Sequence, residues 1–213
     1  ASSIALRLRV HRDDDISAFA AAPRDPEFYR LLGCPFPSGV NRADEARAWY
    51  AKKTDPKHSW AIEVDGRCVG SVWLHSIELT NRRARFAIEI FDSRYWNRGI
   101  GEFATRTVVK FAFEELKLHR LDLRVLTENA RAIRCYERCG FLREGVQRDT
   151  LFLDGRWYSD LWMSILESEY REQVERQEKD QSPSHPPHHN AGNRPFSVDS
   201  LASENPPAPS PRG

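Results

Sequence analysis

The stretch NARAIRCYERCGF, Asn129 to Phe141, decides how this chain folds. Asn129 stands where a helix N-cap belongs, its side-chain oxygen suited to an unpaired amide of the first turn. Gly140 is a natural helix end. Between them Ile133, Tyr136 and Cys139 recur at helical spacing. Tyr136 therefore has two readings, a core tyrosine or a phenol presented to whatever the helix borders. Upstream, YWNRGIG (Tyr95 to Gly101) lies between a strand pattern and a long helix whose Ala104, Val108, Phe111 and Ala112 share one apolar face. Strand, glycine-rich turn and helix together make an anion site. Glycine lets the backbone turn tightly, and the unpaired amides and dipole of the first helical turn favour phosphate oxygens. On its own, a Gly-x-Gly pair also fits an ordinary strand-to-helix turn.

The rest of the chain fits around these two segments. Ile4, Leu6, Leu8 and Val10 alternate as a first strand. Asp13 to Asp15 open a short helix, and the prolines at 23, 26, 35 and 37 keep the next helices short. Asn41 or Asp44 is placed to cap a helix carrying Ala46, Trp49 and Tyr50. Residues 60–64 and 68–74 pair through the Asp65-Gly66 turn. Residues 84–91 follow a turn at Asn81-Arg82, residues 121–125 form a fifth strand, and 146–153 and 157–166 close as a hairpin. The pattern is α/β (α+β), a mixed and mostly antiparallel sheet of six to seven strands flanked by helices.

Nucleotide folds of other kinds fit poorly. A P-loop needs Lys-Ser/Thr after its glycines, and here Glu102 and Phe103 follow. A dinucleotide fingerprint needs a parallel unit with an acid ending the next strand. Asp122 is near that offset but lies within a strand between Leu121 and Leu123, so it is expected to face out.

The two segments at this spacing resemble the paired signatures of the GNAT N-acetyltransferases. The second reads there Asn-x-x-Ala-(Ile/Val)-x-x-Tyr-(Glu)-x-x-Gly-Phe, and Tyr95 to Gly101 with its helix resembles the family's pyrophosphate loop. With residues 111–116, Leu118 to Arg120 and the Asp154-Gly155-Arg156 turn, the similarity is to the ribosomal-protein and spermidine acetyltransferase branches, over residues 4–170. The resemblance implies a sheet splayed between strands four and five, with acetyl-CoA as co-substrate in the wedge. Its pantetheine arm would bond to the backbone at Ile90 and Phe91. Its pyrophosphate would lie on the amides of Asn97, Arg98, Gly99, Ile100, Gly101 and Glu102. Asn129 would hold the arm from the other side while capping its helix. Tyr136 occupies the position of the acid that protonates the departing thiolate. The implied activity is direct transfer of acetyl to a primary amine on a polyamine, an aminoglycoside-type molecule or a peptide N-terminus. A non-catalytic acyl-CoA sensor of the same fold is the alternative. Two departures stand out. Trp96 replaces the Gln or Arg common three residues before the first glycine, and Arg85 stands where an acid is frequent early in strand four. Glu89 is instead the candidate base, directly or through water. The amide near Ile90 is the candidate partner of the thioester carbonyl.

Composition bounds the remaining questions. The 213 residues carry 32 Lys+Arg and 31 Asp+Glu, a net charge of +1, which argues against a general nucleic-acid binder. No apolar run reaches the ~20 residues of a membrane span, and Ala1 to Ile4 opens no signal-peptide pattern, so a cytoplasmic protein is expected. A homodimer is compatible with the sequence. Eight of 13 prolines and three of seven histidines lie at or beyond Pro183. Residues 173–213 therefore read as a disordered tail, and 1–172 as the acetyltransferase domain. His185, His188 and His189 lack neighbouring ligands, and no metal site is expected. Cys135 and Cys139, four apart on a helix, read as small core residues, and His75 and His119 as surface or turn positions. The acceptor wall is expected from residues 24–50 and 146–160. Phe28, Tyr29, Phe36, Trp49 and Trp157 are available to line it, and Asp25, Glu27, Asp44, Glu45, Asp149 and Asp160 to supply charge.

Overall fold

A computed structural model describes residues 5–54 and 57–181. Strand β1 (Leu6–Arg9) leads into three helices, α1 (Asp14–Ala21), α2 (Pro26–Leu31) and α3 (Arg42–Thr54). Each short helix has a local cause. Asp25 accepts the Glu27 amide ahead of Pro26 at the start of α2. Of the two candidate caps for α3, Asn41 does the work, accepting the Ala43 amide at 2.8 Å. Then come β2 (Ser59–Val64), β3 (Arg67–Glu78) and β4 (Arg83–Ile90), an antiparallel meander. A short 3₁₀ turn (Ser93–Tyr95) precedes α4 (Ile100–Glu114). β5 (Arg120–Leu126), α5 (Ala130–Arg138), β6 (Leu142–Leu153), β7 (Arg156–Leu166) and α6 (Glu167–Gln181) complete the domain.

The seven strands form one sheet in the order β1-β2-β3-β4-β5-β7-β6. Only β4 and β5 are parallel, and they pair over three positions, Arg83 to Arg85 against Arg120 to Asp122. Beyond that both strands continue unpaired with each other, to Ile90 and to Leu126. This is the splay, and it leaves one edge of β4 open.

Two apolar layers hold the sheet. On one face, α4 and α5 bury Val108, Phe111 and Ile133 against Phe86, Leu121, Leu123 and Met163. On the other, α1 and α3 bury Phe19, Trp49 and Ala46 against Ala61, Cys68 and Phe91. The Phe19 and Trp49 rings stack at 4.9 Å, and Phe91 meets both edge-on.

Two expectations are corrected here. Asp122 is buried, not outward-facing, because β5 lies between β4 and β7 and two guanidiniums cover its carboxylate, Arg85 at 3.0 Å and Arg120 at 3.6 Å. The ordered chain also runs past residue 172. Helix α6 continues to Gln181, with Tyr170 stacked on Phe113 and its hydroxyl donating to Glu114 at 2.6 Å. The Gln173 side chain covers Gly140 so closely that a Cβ there would collide with it. The proline- and histidine-rich part of the expected tail lies outside the described residues.

Candidate active site

A cavity of about 550 Å³ runs through the splay, from the start of α4 to the face between β3, β5 and β7. At its mouth the backbone is unusual. Asn97 (φ 59°) and Gly99 (φ 77°) both adopt left-handed conformations, and Gly99 is the residue before α4. That reversal aims the first amides of α4 into the cavity. No side chain caps them, so the amides from Ile100 to Glu102 keep their donors, and the helix dipole adds to their pull on an anion. A side chain at Gly99 meets no neighbour within 4 Å; what it must bear is the backbone strain. Gly99→Val is therefore expected to raise the Kd for CoA about 5- to 30-fold, from ~1–2 kcal/mol of left-handed strain. Isothermal titration checks this, with thermal melting to confirm the fold; an unchanged Kd would count against the loop as the phosphate cradle.

The open edge of β4 forms one wall. Antiparallel pairing with β3 alternates which backbone groups face inward. The Phe91 amide donates to the Val69 carbonyl at 3.0 Å, and Gly70 stands opposite Ile90 in a pair without ladder bonds. The groups of Ile88 and Ile90 therefore point into the splay. Phe91, expected with Ile90 to bind the pantetheine arm, turns its amide away from the splay. Its amide is engaged and its ring is buried between Phe19 and Trp49. Ile90 remains, with its carbonyl already accepting the Trp96 indole N–H at 2.8 Å. So the unusual Trp96 pins the loop to the strand, and the Arg131 guanidinium lies 3.7 Å from the centre of its ring.

α5 forms the other wall. Asn129 accepts the Ala132 amide at 3.1 Å, which fixes its oxygen and leaves its amide nitrogen for a second partner. Tyr136 lines the cavity while 8% exposed, and burial raises its pKa well above the ordinary phenol value. Phe86 and Phe141 flank its ring at 6.1 and 6.0 Å. Cys135 is not a core residue as expected but half-buried at the cavity wall, near Gly101, whereas Cys139 is buried. The Cys139 thiol donates to the Glu102 carbonyl at 3.8 Å, and the proximity of the two thiols lowers the Cys135 pKa and, with burial, raises that of Cys139.

Glu89 is buried at 8% exposure and lines the far half of the cavity. It is not free. The Trp49 indole donates to it at 2.5 Å and the Lys53 ammonium stands 3.0 Å away. Lys53 also lies 3.3 Å above the Trp73 ring. Of the acceptor-wall candidates, Phe28 and Asp160 reach the cavity. Tyr29 and Trp49 are core, while Phe36 and Trp157 are exposed elsewhere. Asp25 caps α2, Asp44 pairs with Arg47, and Glu45 is held by Arg24, Arg42 and Tyr29. Both expected segments reach the cavity, with Leu31, Leu32 and Gly33 following Phe28 and with Thr150 and Leu151 of the hairpin, and the sheet adds Trp73, His75, Arg85 and Arg124, none of which sequence reasoning placed there. Their signal was the alternation of β3, β4 and β5, legible only once the register is known. His119 lies away at the surface, 3.8 Å from Glu167.

These features fit an acyl-coenzyme: donors for a pyrophosphate at a helix start, an open strand edge for an amide-bearing arm, and a cavity that both Tyr136 and Glu89 line. They define an acyl-CoA-dependent transferase fold. A family model for the acetyltransferase (GNAT) domain matches residues 5–142. The chain belongs to that family. The spermidine N(1)-acetyltransferase of Escherichia coli K12 is 32% identical over 111 residues, 52% of this chain and 59% of the relative. An uncharacterized N-acetyltransferase of Bacillus subtilis is 27% identical over 165 residues, 76% of this chain and 93% of the relative. For several relatives the chain spans only 56 to 59% of their length. Among solved structures, spermidine N-acetyltransferase from Vibrio cholerae in complex with CoA and spermine superposes with a TM-score of 0.64 at 25% identity, over 78% of this chain and 98% of that one. No helix among the described residues is long and apolar enough to cross a membrane.

Proposed function

We propose that this domain transfers an acetyl group from acetyl-CoA directly to a primary amine. The observation that carries the reading is the splay itself, with the amides of α4 at one end, Tyr136 on one wall and Glu89 on the other. Acetyl-CoA would supply the acetyl group as a thioester. The amides from Asn97 to Glu102 would hold its diphosphate, and Ile88 and Ile90 its arm. The Ile90 amide, aimed into the splay, would polarise the thioester carbonyl. Asn129 would donate its side-chain N–H to the arm. Glu89 would take a proton from the bound ammonium, directly or through a water, to free the amine that attacks the thioester carbonyl, and Lys53 would hold that carboxylate in place. Tyr136 would give its proton to the departing sulfur. A polyamine, an aminoglycoside-type amine and a peptide N-terminus remain the acceptor classes, the first supported by the spermidine acetyltransferases among the relatives.

Thiol release from acetyl-CoA, measured against a panel of these amines, tests the reading. We expect amine-dependent release, and Glu89→Gln to lower it about 100-fold while CoA still binds. Tight CoA binding with no release on any amine would make the domain a sensor and overturn the transfer reading. Full activity in Glu89→Gln would remove only Glu89 as base.

A further inference from the structure

The far end of the cavity is not built for a polycation. Alternation places Trp73 and His75 of β3, Arg85 and Glu89 of β4, Arg124 of β5 and Asp160 of β7 along it. Of the two carboxylates, Glu89 already has Lys53 at 3.0 Å. Asp160 stands 3.6 Å from Arg124, close enough to orient it but too far for a hydrogen bond. The guanidiniums are less occupied. Arg85 uses Nε on Asp122, leaving its two terminal nitrogens without hydrogen-bond partners among the described residues. Arg124 makes no hydrogen bond among the described residues, and its side chain is 48% exposed. Both lie against one indole, with Arg85 4.7 Å and Arg124 5.7 Å from the centre of the Trp162 ring. Trp162 thus contacts both cations, and both arginines bring unused planar donors to the cavity wall. Such donor pairs match a carboxylate in shape and charge. Burial and Arg85 lower the His75 pKa, which disfavours a further positive charge there.

Resting on the transfer reading above, we propose that the acceptor is an amine that also carries a carboxylate, held by Arg85 and Arg124 while the amine lies at Glu89. Arg85 and Glu89 are four residues apart on β4, a step of ~13 Å along the strand. The long guanidinium arm shortens that span, but amine and carboxylate still need more between them than the single carbon of an α-amino acid. A dipeptide, with one peptide unit between the two groups, is the simplest case.

Glycylglycine and its C-terminal amide differ only in this carboxylate, and spermidine serves as the polycation. Thiol release and calorimetric binding to the CoA-loaded full chain are measured for all three. The free acid should exceed the amide in kcat/KM and in affinity by about tenfold or more, the scale of a hydrogen bond between charged groups. Arg124→Gln, at an exposed position, should collapse that ratio by raising KM for the acid. Release with acid and amide equal, or with spermidine preferred, overturns this proposal and leaves acetyl transfer standing. A calorimetric preference for the acid with no release on any amine overturns transfer and supports the carboxylate site. Neither release nor preference overturns both.

Discussion

Tyr136→Phe is expected to lower kcat by 100-fold or more and to leave KM for acetyl-CoA near the wild-type value. The substitution removes one oxygen from a side chain that otherwise packs between Phe86 and Phe141. Its hydroxyl makes no hydrogen bond among the described residues, so no buried partner is orphaned and the fold should melt as before. What disappears is a proton donor at the cavity wall, and general acid catalysis contributes about 10²–10⁴ in rate. An interaction used only as the bond breaks shows in kcat rather than in KM. Burial raises the Tyr136 pKa, so the hydroxyl holds its proton across neutral and mildly alkaline pH. The wild-type profile should therefore show no loss of kcat from this group below its ordinary pKa of about 10. Steady-state thiol release from pH 6 to 10 on both proteins checks this. Equal kcat values would mean that Tyr136 is a packing residue and that the thiolate leaves without it.

The parts of this site that the sequence foretold are those set by local chemistry. Gly99 was legible because a left-handed residue before a helix favours glycine, and Asn129 because a cap acts within three residues. The apolar face of α4 was legible because its period needs no partner to be seen. What was misplaced depends on register between distant strands. Whether Ile90 or Phe91 offers its amide to the splay is decided by Val69, twenty-two residues before Phe91, and nothing near Phe91 carries that information. Asp122 and Arg124 alternate with leucine and valine, which reads as a half-exposed strand. β5 is in fact flanked by β4 and β7, so Asp122 is buried against Arg85 while Arg124 stays half-exposed at the cavity wall. The acceptor wall was sought in residues 24–50 and 146–160; both segments reach the cavity, through Phe28 and through Thr150, Leu151 and Asp160, but Tyr29 and Trp49 fill the second core and the sheet supplied Arg85 and Arg124. The end of the domain was placed too early for a different reason. Residues 173–181 are polar on most faces, and only the anchoring of the preceding turn by Tyr170 on Phe113 distinguishes that helix from the low-complexity sequence after it.

Replacing Asp15 is expected to have the largest effect on stability, although Asp15 lies outside the cavity. It is 1% exposed at the start of α1 and receives both terminal nitrogens of Arg9, at 2.9 and 2.7 Å, as well as the Arg12 amide at 2.9 Å. Arg9 is itself buried, and its Nε donates to Glu63 on β2, which also accepts from Arg7 at 2.6 Å. The network ties α1 to the sheet and so holds Phe19 against Trp49, the side chain that hydrogen-bonds Glu89. Asp15→Ala leaves a buried guanidinium with half its partners, a loss of about 3–5 kcal/mol for a broken buried pair. In a domain of this size that is a fall in Tm of roughly 6–20 °C. An Arg9→Met, Asp15→Leu double variant removes both charges and should lose less than the sum of the single changes. The pH dependence has a definite sign. Burial alone would raise the Asp15 pKa, but the His11 ring 3.5 Å away, the hydrogen bonds from Arg9 and the Arg12 amide, and the Arg9 charge hold it well below the usual carboxylate range. Its stabilisation is complete above the unfolded pKa of about 3.9 and is lost as pH falls from there toward the folded value. Melting curves from pH 7 down to pH 2 should therefore fall more steeply below about pH 4 for the wild type than for Asp15→Asn. Parallel curves would assign the acid loss to other carboxylates, and a Tm within 2 °C of wild type for Asp15→Ala would mean that water replaces the carboxylate at Arg9.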